Sequence, residues 1–144
     1  MKIIIQDPAP NEEDSITISV KHMTDSIVRA INILKSPNQL TVYLSNNAFP
    51  LAVSEIYYVE SVDLKTFVYT EQAVYQAKLK LYEVEELLDK SEFLRANRQT
   101  IINIKKIKNI APAGDGRFQA TLTNGENVII SRQNVSAMKE VFGL

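Results

Sequence analysis

Residues 118–131 read FQATLTNGENVIIS. Two short runs alternate apolar and polar residues on either side of Asn124-Gly125. An Asn-Gly pair so flanked is the strongest short-range signal for a β-hairpin, because both residues tolerate the positive φ of a tight turn. Just upstream, Gly114-Asp115-Gly116 marks another turn. Ile101, Ile102, Ile104, Ile107 and Ile110 precede it as a dense apolar stretch broken by lysines. Downstream, residues 133–142 place Val135, Met138, Val141 and Phe142 on one side of a final helix.

The same pattern continues towards the N-terminus. Residues 39–45 (QLTVYLS) alternate, Asn46-Asn47 marks a turn, and residues 48–53 continue the β pattern. Residues 55–62 (EIYYVESV) and 66–70 (TFVYT) read as strands interrupted by Asp63-Leu64-Lys65. Glu71-Gln72 is a turn before another alternating run, residues 73–79. Residues 81–89 have helical spacing, with Leu81, Val84, Leu87 and Leu88 on one side. Glu83, Glu85 and Glu86 then form a solvated face.

The first 38 residues differ. Residues 2–6 (KIIIQ) and 15–20 (SITISV) read as strands around a loop with Pro8 and Pro10. A helix follows, capped by Thr24 or Asp25, with Ile27, Ile31 and Leu34 on one face and its end at Pro37-Asn38. The expected fold is mainly β with short helices. A small β-β-α extension over residues 1–38 precedes a β-rich domain over residues 39–144. No Gly/Ser linker separates them. The first helix can pack within the chain or add to a homodimer contact, and intramolecular packing is the favoured role.

Composition narrows the function classes. The chain has 144 residues, enough to bury a core without disulfides or metals. It has no cysteine, so a disulfide framework, a zinc ribbon and a thiol nucleophile are excluded. That fits a reducing cytoplasm. The single histidine, His22, reads as a surface or capping residue and cannot build a His-based metal site. No Gly-rich phosphate loop opens a helix. The opening IIIQD resembles the first strand of a receiver domain, but the next element is another strand, and a receiver needs alternating strands and helices. The expectation is a non-enzymatic protein without cofactor or metal.

Net charge is −1, which taken alone argues against nucleic acid. The distribution is uneven. Between residues 93 and 108 the charged residues are Arg95, Arg98, Lys105, Lys106 and Lys108, with no acid beyond Glu92 at the border. By charge alone a solvated surface is the plainer reading. Three clusters at strand breaks carry hydrogen-bonding side chains: residues 63–66 (DLKT), 95–100 (RANRQT) and 131–134 (SRQN). Arg forks onto guanine or phosphate, Asn and Gln pair with adenine edges, and Lys and Thr contact phosphates or bases. Turn and capping work explains the same residue types equally well.

The order of three motifs resembles the LytTR-type DNA-binding domain of bacterial transcription regulators. These are EIYYVES at 55–61, FLRANRQTIINIKKIKNI at 93–110 and LTNGENVIISRQN at 122–134. The family's middle motif has an aromatic residue, an Arg, a His-Arg-Ser-like triplet and an apolar run ending in Asn. Phe93, Arg95, Asn97-Arg98-Gln99 and Asn103 stand there. The resemblance implies short antiparallel sheets that insert loops into successive major grooves of double-stranded DNA. It makes Arg132, Arg98 with Asn97, and Thr66 with Lys65 the base-contacting candidates. Arg95, Gln99, Lys105 and Asn134 are implied as phosphate or supporting contacts. Asn97 and Gln99 depart from the usual His and Ser, which bears on base preference. Stand-alone members without a receiver domain are often paired with a small membrane protein. The alternative is a protein-interaction module of the same fold that has lost specific DNA binding, suggested by the acidic balance and the altered triplet.

Overall fold

The computed structural model describes residues 1–35 and 38–144 and divides after Lys35 into two compact units. Pro37, expected to end the first helix, lies outside the described residues. The first unit, Met1–Lys35, holds one helix, α1 (Asp25–Lys35). Thr24 caps it, its Oγ1 accepting from the Ile27 N–H at 3.4 Å. The expected strands at residues 2–6 and 15–20 are not formed. Between them Glu12 N–H donates to the Ala9 carbonyl in a turn, and neither segment joins a ladder. Alternation makes a segment competent as a strand, and a neighbour is still needed to pair its N–H and C=O groups.

The second unit is β-rich, as the sequence pattern predicts. Its larger sheet has seven strands: β1 (Gln39–Leu44), β2 (Asn47–Ala52), β3 (Ile56–Val62), β4 (Lys65–Thr70), β5 (Val74–Ala77), β6 (Phe93–Asn97) and β7 (Thr100–Asn103), in the spatial order β2-β1-β5-β4-β3-β7-β6. Helix α2 (Leu81–Leu87) leads into β6. The smaller sheet is β8 (Ile107–Gly114), β9 (Arg117–Leu122) and β10 (Asn127–Ile130), followed by α3 (Arg132–Phe142). All pairings are antiparallel. Turn chemistry explains two hairpins directly. Ser45-Asn46 and Asp63-Leu64 each hold positive φ at both central residues, the primed-turn geometry that matches strand twist. The edge strand β2 contains Pro50, whose missing N–H blunts that edge.

Two cores share the centre of the large sheet. Ile56, Val59, Phe93 and Ile101 meet α2 on one side. Tyr57, Tyr58, Leu94, Ala96 and Ile102 meet the small sheet and Met138 of α3 on the other. A register shift between Ile56 and Tyr58 puts the neighbours Tyr57 and Tyr58 in the same core, with Ile56 and Val59 in the other. Strand β6 was expected as part of a helix-to-strand loop. Buried on both faces, it lacks the alternation that marks a half-exposed strand.

Two buried polar contacts fasten this arrangement. Asn103 is 2% exposed; its Nδ2 donates to the Ile56 carbonyl at 2.8 Å, and its Oδ1 accepts from Lys105 N–H at 3.0 Å. Tyr58 donates to a Glu126 carboxylate oxygen at 2.5 Å and stacks on Tyr69 at 4.2 Å. Burial, then the Glu126 contact, pushes the Tyr58 phenol well above the usual tyrosine range, and burial raises Tyr69 as well.

Asn103→Leu should lower the unfolding free energy by about 2–4 kcal/mol in urea titrations, since two backbone groups lose partners. A loss under roughly 0.5 kcal/mol, within the range of neutral surface changes, would refute that role. Both raised phenols are held protonated by folding. Their stabilisation is complete below the ordinary tyrosine pKa of 10.0 and is lost as pH rises through the higher native value. Stability should therefore fall above pH 10, and Tyr58→Phe should flatten the fall in an alkaline unfolding series.

Candidate nucleic-acid interface

The turn between β6 and β7 carries Arg98 and Gln99, both exposed. Its shape is fixed from behind. Arg95 Nε donates to the Asn97 carbonyl at 2.8 Å and its Nη2 to the Arg98 carbonyl at 2.7 Å. Its Nη1 pairs with Glu85 of α2 at 3.2 Å, so Glu85 is more than a solvated helix residue. Asn97 is occupied on both sides of its amide. Oδ1 accepts from Gln99 N–H at 2.9 Å, and Nδ2 donates to the Ile129 carbonyl of β10 at 2.8 Å. These contacts make Arg95 and Asn97 holders of the tip, with Arg98 and Gln99 presented beyond it. Asn97 was expected to contact bases; one N–H and one lone pair of its amide are engaged within the fold.

Ladder register brings the first cluster alongside. Gln99 O accepts from Ser61 N–H at 2.8 Å, and Glu60 stands opposite Thr100. The Asp63-Leu64 turn therefore lies at the same end of the sheet as Arg98-Gln99. Lys65, at the start of β4, is exposed. Thr66 is only 3% exposed. Adjacent strand residues point to opposite faces, so the expected Lys65–Thr66 pair cannot both face a ligand. Thr66 is a packing residue.

The third cluster reaches this end through β10. Ser131 N–H donates to the Ala96 carbonyl at 2.9 Å. The final helix, expected from residue 133, starts one residue earlier: Ser131 is the N-cap of α3 and Arg132 its first residue. Asn134 Nδ2 donates to Ser131 Oγ at 2.7 Å, bracing that helix start. Arg132 is exposed, and its stem lies against Gly116 in the β8–β9 turn. A Cβ at Gly116 would come within 3.0 Å of Arg132 Cδ, and Gly116 also holds a φ of +75°. Glycine suits both demands.

Lys105 does not join this edge. It follows β7 beyond Asn103, which pairs with Phe93 at the open end of the β6–β7 hairpin. At about 3.3 Å per strand residue it stands on the order of 15 Å from Thr100. It pairs with Glu92 at 2.7 Å, and that carboxylate raises its ammonium pKa. Two cations that sequence reasoning passed over lie towards the grouped end. Lys78 follows Ala77, the partner of Thr66, and sits 4.2 Å from the Tyr43 ring centroid. Arg117 starts β9 beside the Gly116 turn. Strand register, absent from a residue list, is the signal that finds them.

A family model described as the LytTr DNA-binding domain matches residues 46–143. The sensory transduction protein LytT of Enterococcus faecalis is 28% identical over 140 residues, covering 94% of this chain and 58% of that protein. A Staphylococcus aureus protein named as an HTH-type transcriptional regulator is 25% identical over 143 residues, 97% of each. A solved LytTr DNA-binding domain from Bacillus cereus superposes with a TM-score of 0.70 at 32% identity, covering 74% of this chain and 98% of that one. The chain spans little more than half of some curated relatives, 58% of LytT and 51% of the Escherichia coli transcriptional regulatory protein YpdB, and nearly all of the S. aureus relative. Here α2 and α3 are separated by five strands, so these two helices do not form a helix–turn–helix.

Asn97→Ala should cost about 1–2 kcal/mol of stability by freeing the Ile129 carbonyl and the Gln99 N–H. It should also speed amide exchange at Gln99 relative to β3. Exchange at Gln99 unchanged from wild type would show that the tip is held by other means.

Proposed function

The chain belongs to the LytTr DNA-binding domain family, and on that premise we propose that it is a transcription regulator. It binds double-stranded DNA sequence-specifically and reads major grooves with the tips of its strands and the start of α3. The observation that carries this reading is the gathering of residues 63–65, 98–99 and 131–132 at one end of the fold. Lys65, Arg98, Gln99 and Arg132 are all exposed there. None of the three cations belongs to an ion pair among the described residues.

The chemistry of each side chain gives it a role. Arg98 and Arg132 have the planar fork that takes guanine O6 and N7 together, and Gln99 can take adenine N6 and N7. Lys65 is a compact charge suited to phosphate. A β-hairpin tip or a helix start fits a major groove about 12 Å wide. The positive end of α3 favours a phosphate beside Arg132. Arg95, Asn97 and Asn134 hold these groups in place. Their geometry is fixed before binding, so less freedom is lost when DNA is bound. Such a role is carried out in the cytoplasm, and no helix among the described residues is long and apolar enough to cross a membrane.

The test is binding to a duplex selected from a random pool, measured against a scrambled duplex over a salt series. Affinity should fall steeply with salt as phosphate-bound counterions are released. Arg132→Ala should weaken the selected duplex by about 1–3 kcal/mol and relax preference at one position. Lys65→Ala should weaken both duplexes alike and reduce the salt slope by about 1. Absence of any duplex binding at low salt would leave the protein-interaction module as the surviving reading.

A further inference from the structure

Asp115-Gly116 is the two-residue turn of the β8–β9 hairpin, closed by the pair Gly114–Arg117. Both central residues hold positive φ, +55° and +75°, as a primed turn requires. Asp115 meets that demand without being glycine, so backbone conformation alone does not dictate residue 116. Contact with Arg132 does. A Cβ at Gly116 would stand 3.0 Å from Arg132 Cδ and 3.1 Å from its Cγ, inside the roughly 3.5–4.0 Å of ordinary carbon contact. Gly114 differs: it holds a φ of +86°, yet a Cβ on it would meet nothing within 4 Å.

The stem of Arg132 therefore occupies the space that a side chain at residue 116 would need. Its backbone is already fixed. Arg132 opens α3, and the cap before it, Ser131, donates its N–H to the Ala96 carbonyl at 2.9 Å. The Arg132 guanidinium has no ion pair among the described residues. A free arginine carries large rotamer entropy, and packing of its methylenes is what limits it. The hairpin that bears Gly116 is itself anchored, since Phe118 pairs with Pro112 and packs against the core beneath the small sheet. One wall of the Arg132 stem is thus backbone held by a ladder.

We propose that Gly116 is a positioning residue for base reading. The gap it leaves in the β8–β9 turn receives the Arg132 methylenes and sets the direction in which the guanidinium leaves the protein. A side chain at residue 116 would displace Cγ and Cδ by a few tenths of an ångström, and the planar fork beyond them by more. A bidentate guanine contact needs both fork nitrogens to meet O6 and N7 together. A tilted fork loses discrimination, while its charge still serves the phosphates. This role rests on Arg132 as a base contact, proposed above, and adds the turn that aims it.

Two measurements on the full chain test it, one of them without DNA. In the free protein, nuclear magnetic relaxation at the Arg132 Nε–H should show a more ordered side chain than at Arg98. Gly116→Ala should lower that order at Arg132 and leave Arg98 unchanged. On the selected duplex, Arg132→Ala identifies the base pair at issue, and preference there is the ratio of Kd values for the altered and selected duplexes. Gly116→Ala should lower this ratio at least about 3-fold, out of the roughly 5- to 150-fold that one bidentate arginine contributes. Its Kd for the scrambled duplex should stay within about 2-fold of wild type, because no charge is lost. Gly114→Ala puts left-handed strain in the same turn without the contact and should keep the wild-type ratio. In an Arg132→Ala background, Gly116→Ala should change the ratio no further. Gly116→Asn, whose side chain tolerates the left-handed conformation, takes the same measurements should Gly116→Ala fail to fold. A wild-type ratio in the residue 116 variants, an equal loss in Gly114→Ala, or an Arg132 side chain as mobile as Arg98 would overturn the inference and leave DNA reading intact. Absence of duplex binding by the wild type would overturn both.

Discussion

Strand β7 has only four residues, Thr100–Asn103, and every one is buried. It pairs with β3 on one side and β6 on the other. Ile101 turns to the core under α2, and Ile102 turns to the core under the small sheet. A one-residue slip would exchange them and carry Leu94 and Val59 out of place. The register is also pinned at its far end, where Asn103 reaches the Ile56 carbonyl. The same register sets Gln99 against Ser61 and so determines where Arg98 stands. The candidate interface is thus a consequence of core packing: the turn cannot move along the sheet without exposing isoleucines.

Dependence on the core also explains why the polar residues divide into holders and presenters. A guanidinium with three partners, as at Arg95, gives up charge-assisted bonds if it swings away, at about 1.5–3 kcal/mol each. Arg98 and Arg132 face no such cost. Both types carry the same chemistry, and only the surroundings separate them. Asn97 shows the same logic without charge, since its Oδ1 holds the Gln99 N–H of the tip while its Nδ2 ties that tip to Ile129 of the small sheet. Through that tie the second and third clusters move as one body.

Local features of the fold were legible in the sequence, and features set by distant neighbours were not. Gly125 and Gly114-Asp115-Gly116 hold the positive φ that Gly and Asp accept locally, so these turns need no tertiary context to be read. The alternating strands between residues 39 and 79 were readable for the same reason. Strand β6 was not, because its neighbours bury both faces and erase its alternation. The final helix was readable to within one residue of its start, from the spacing of Val135, Met138, Val141 and Phe142. At the site, the resemblance grouped nine residues by order along the chain. In the structure Thr66 is buried, Lys105 stands at the other end of the β6–β7 hairpin, and Arg95, Asn97 and Asn134 make hydrogen bonds within the fold. Residues 15–20 show a different limit: period-2 alternation reports which faces a strand would have but not whether a neighbour is there to pair with it.

The net charge of −1 looked like the strongest argument against nucleic acid, and the structure shows why it is a weak one. Several acids have partners of their own. Glu85 meets Arg95, Glu92 meets Lys105, and Glu126 accepts from Tyr58. In physiological salt an exposed charge is largely screened beyond about 8 Å. A phosphate approaching Arg98 or Arg132 therefore responds to its near neighbours rather than to the chain total. The acid-free run between residues 93 and 108 is also not one patch, because β7 carries its lysines to the opposite end of the hairpin from its arginines. The basic edge is assembled instead from residues 65, 98 and 132, which no window along the sequence contains.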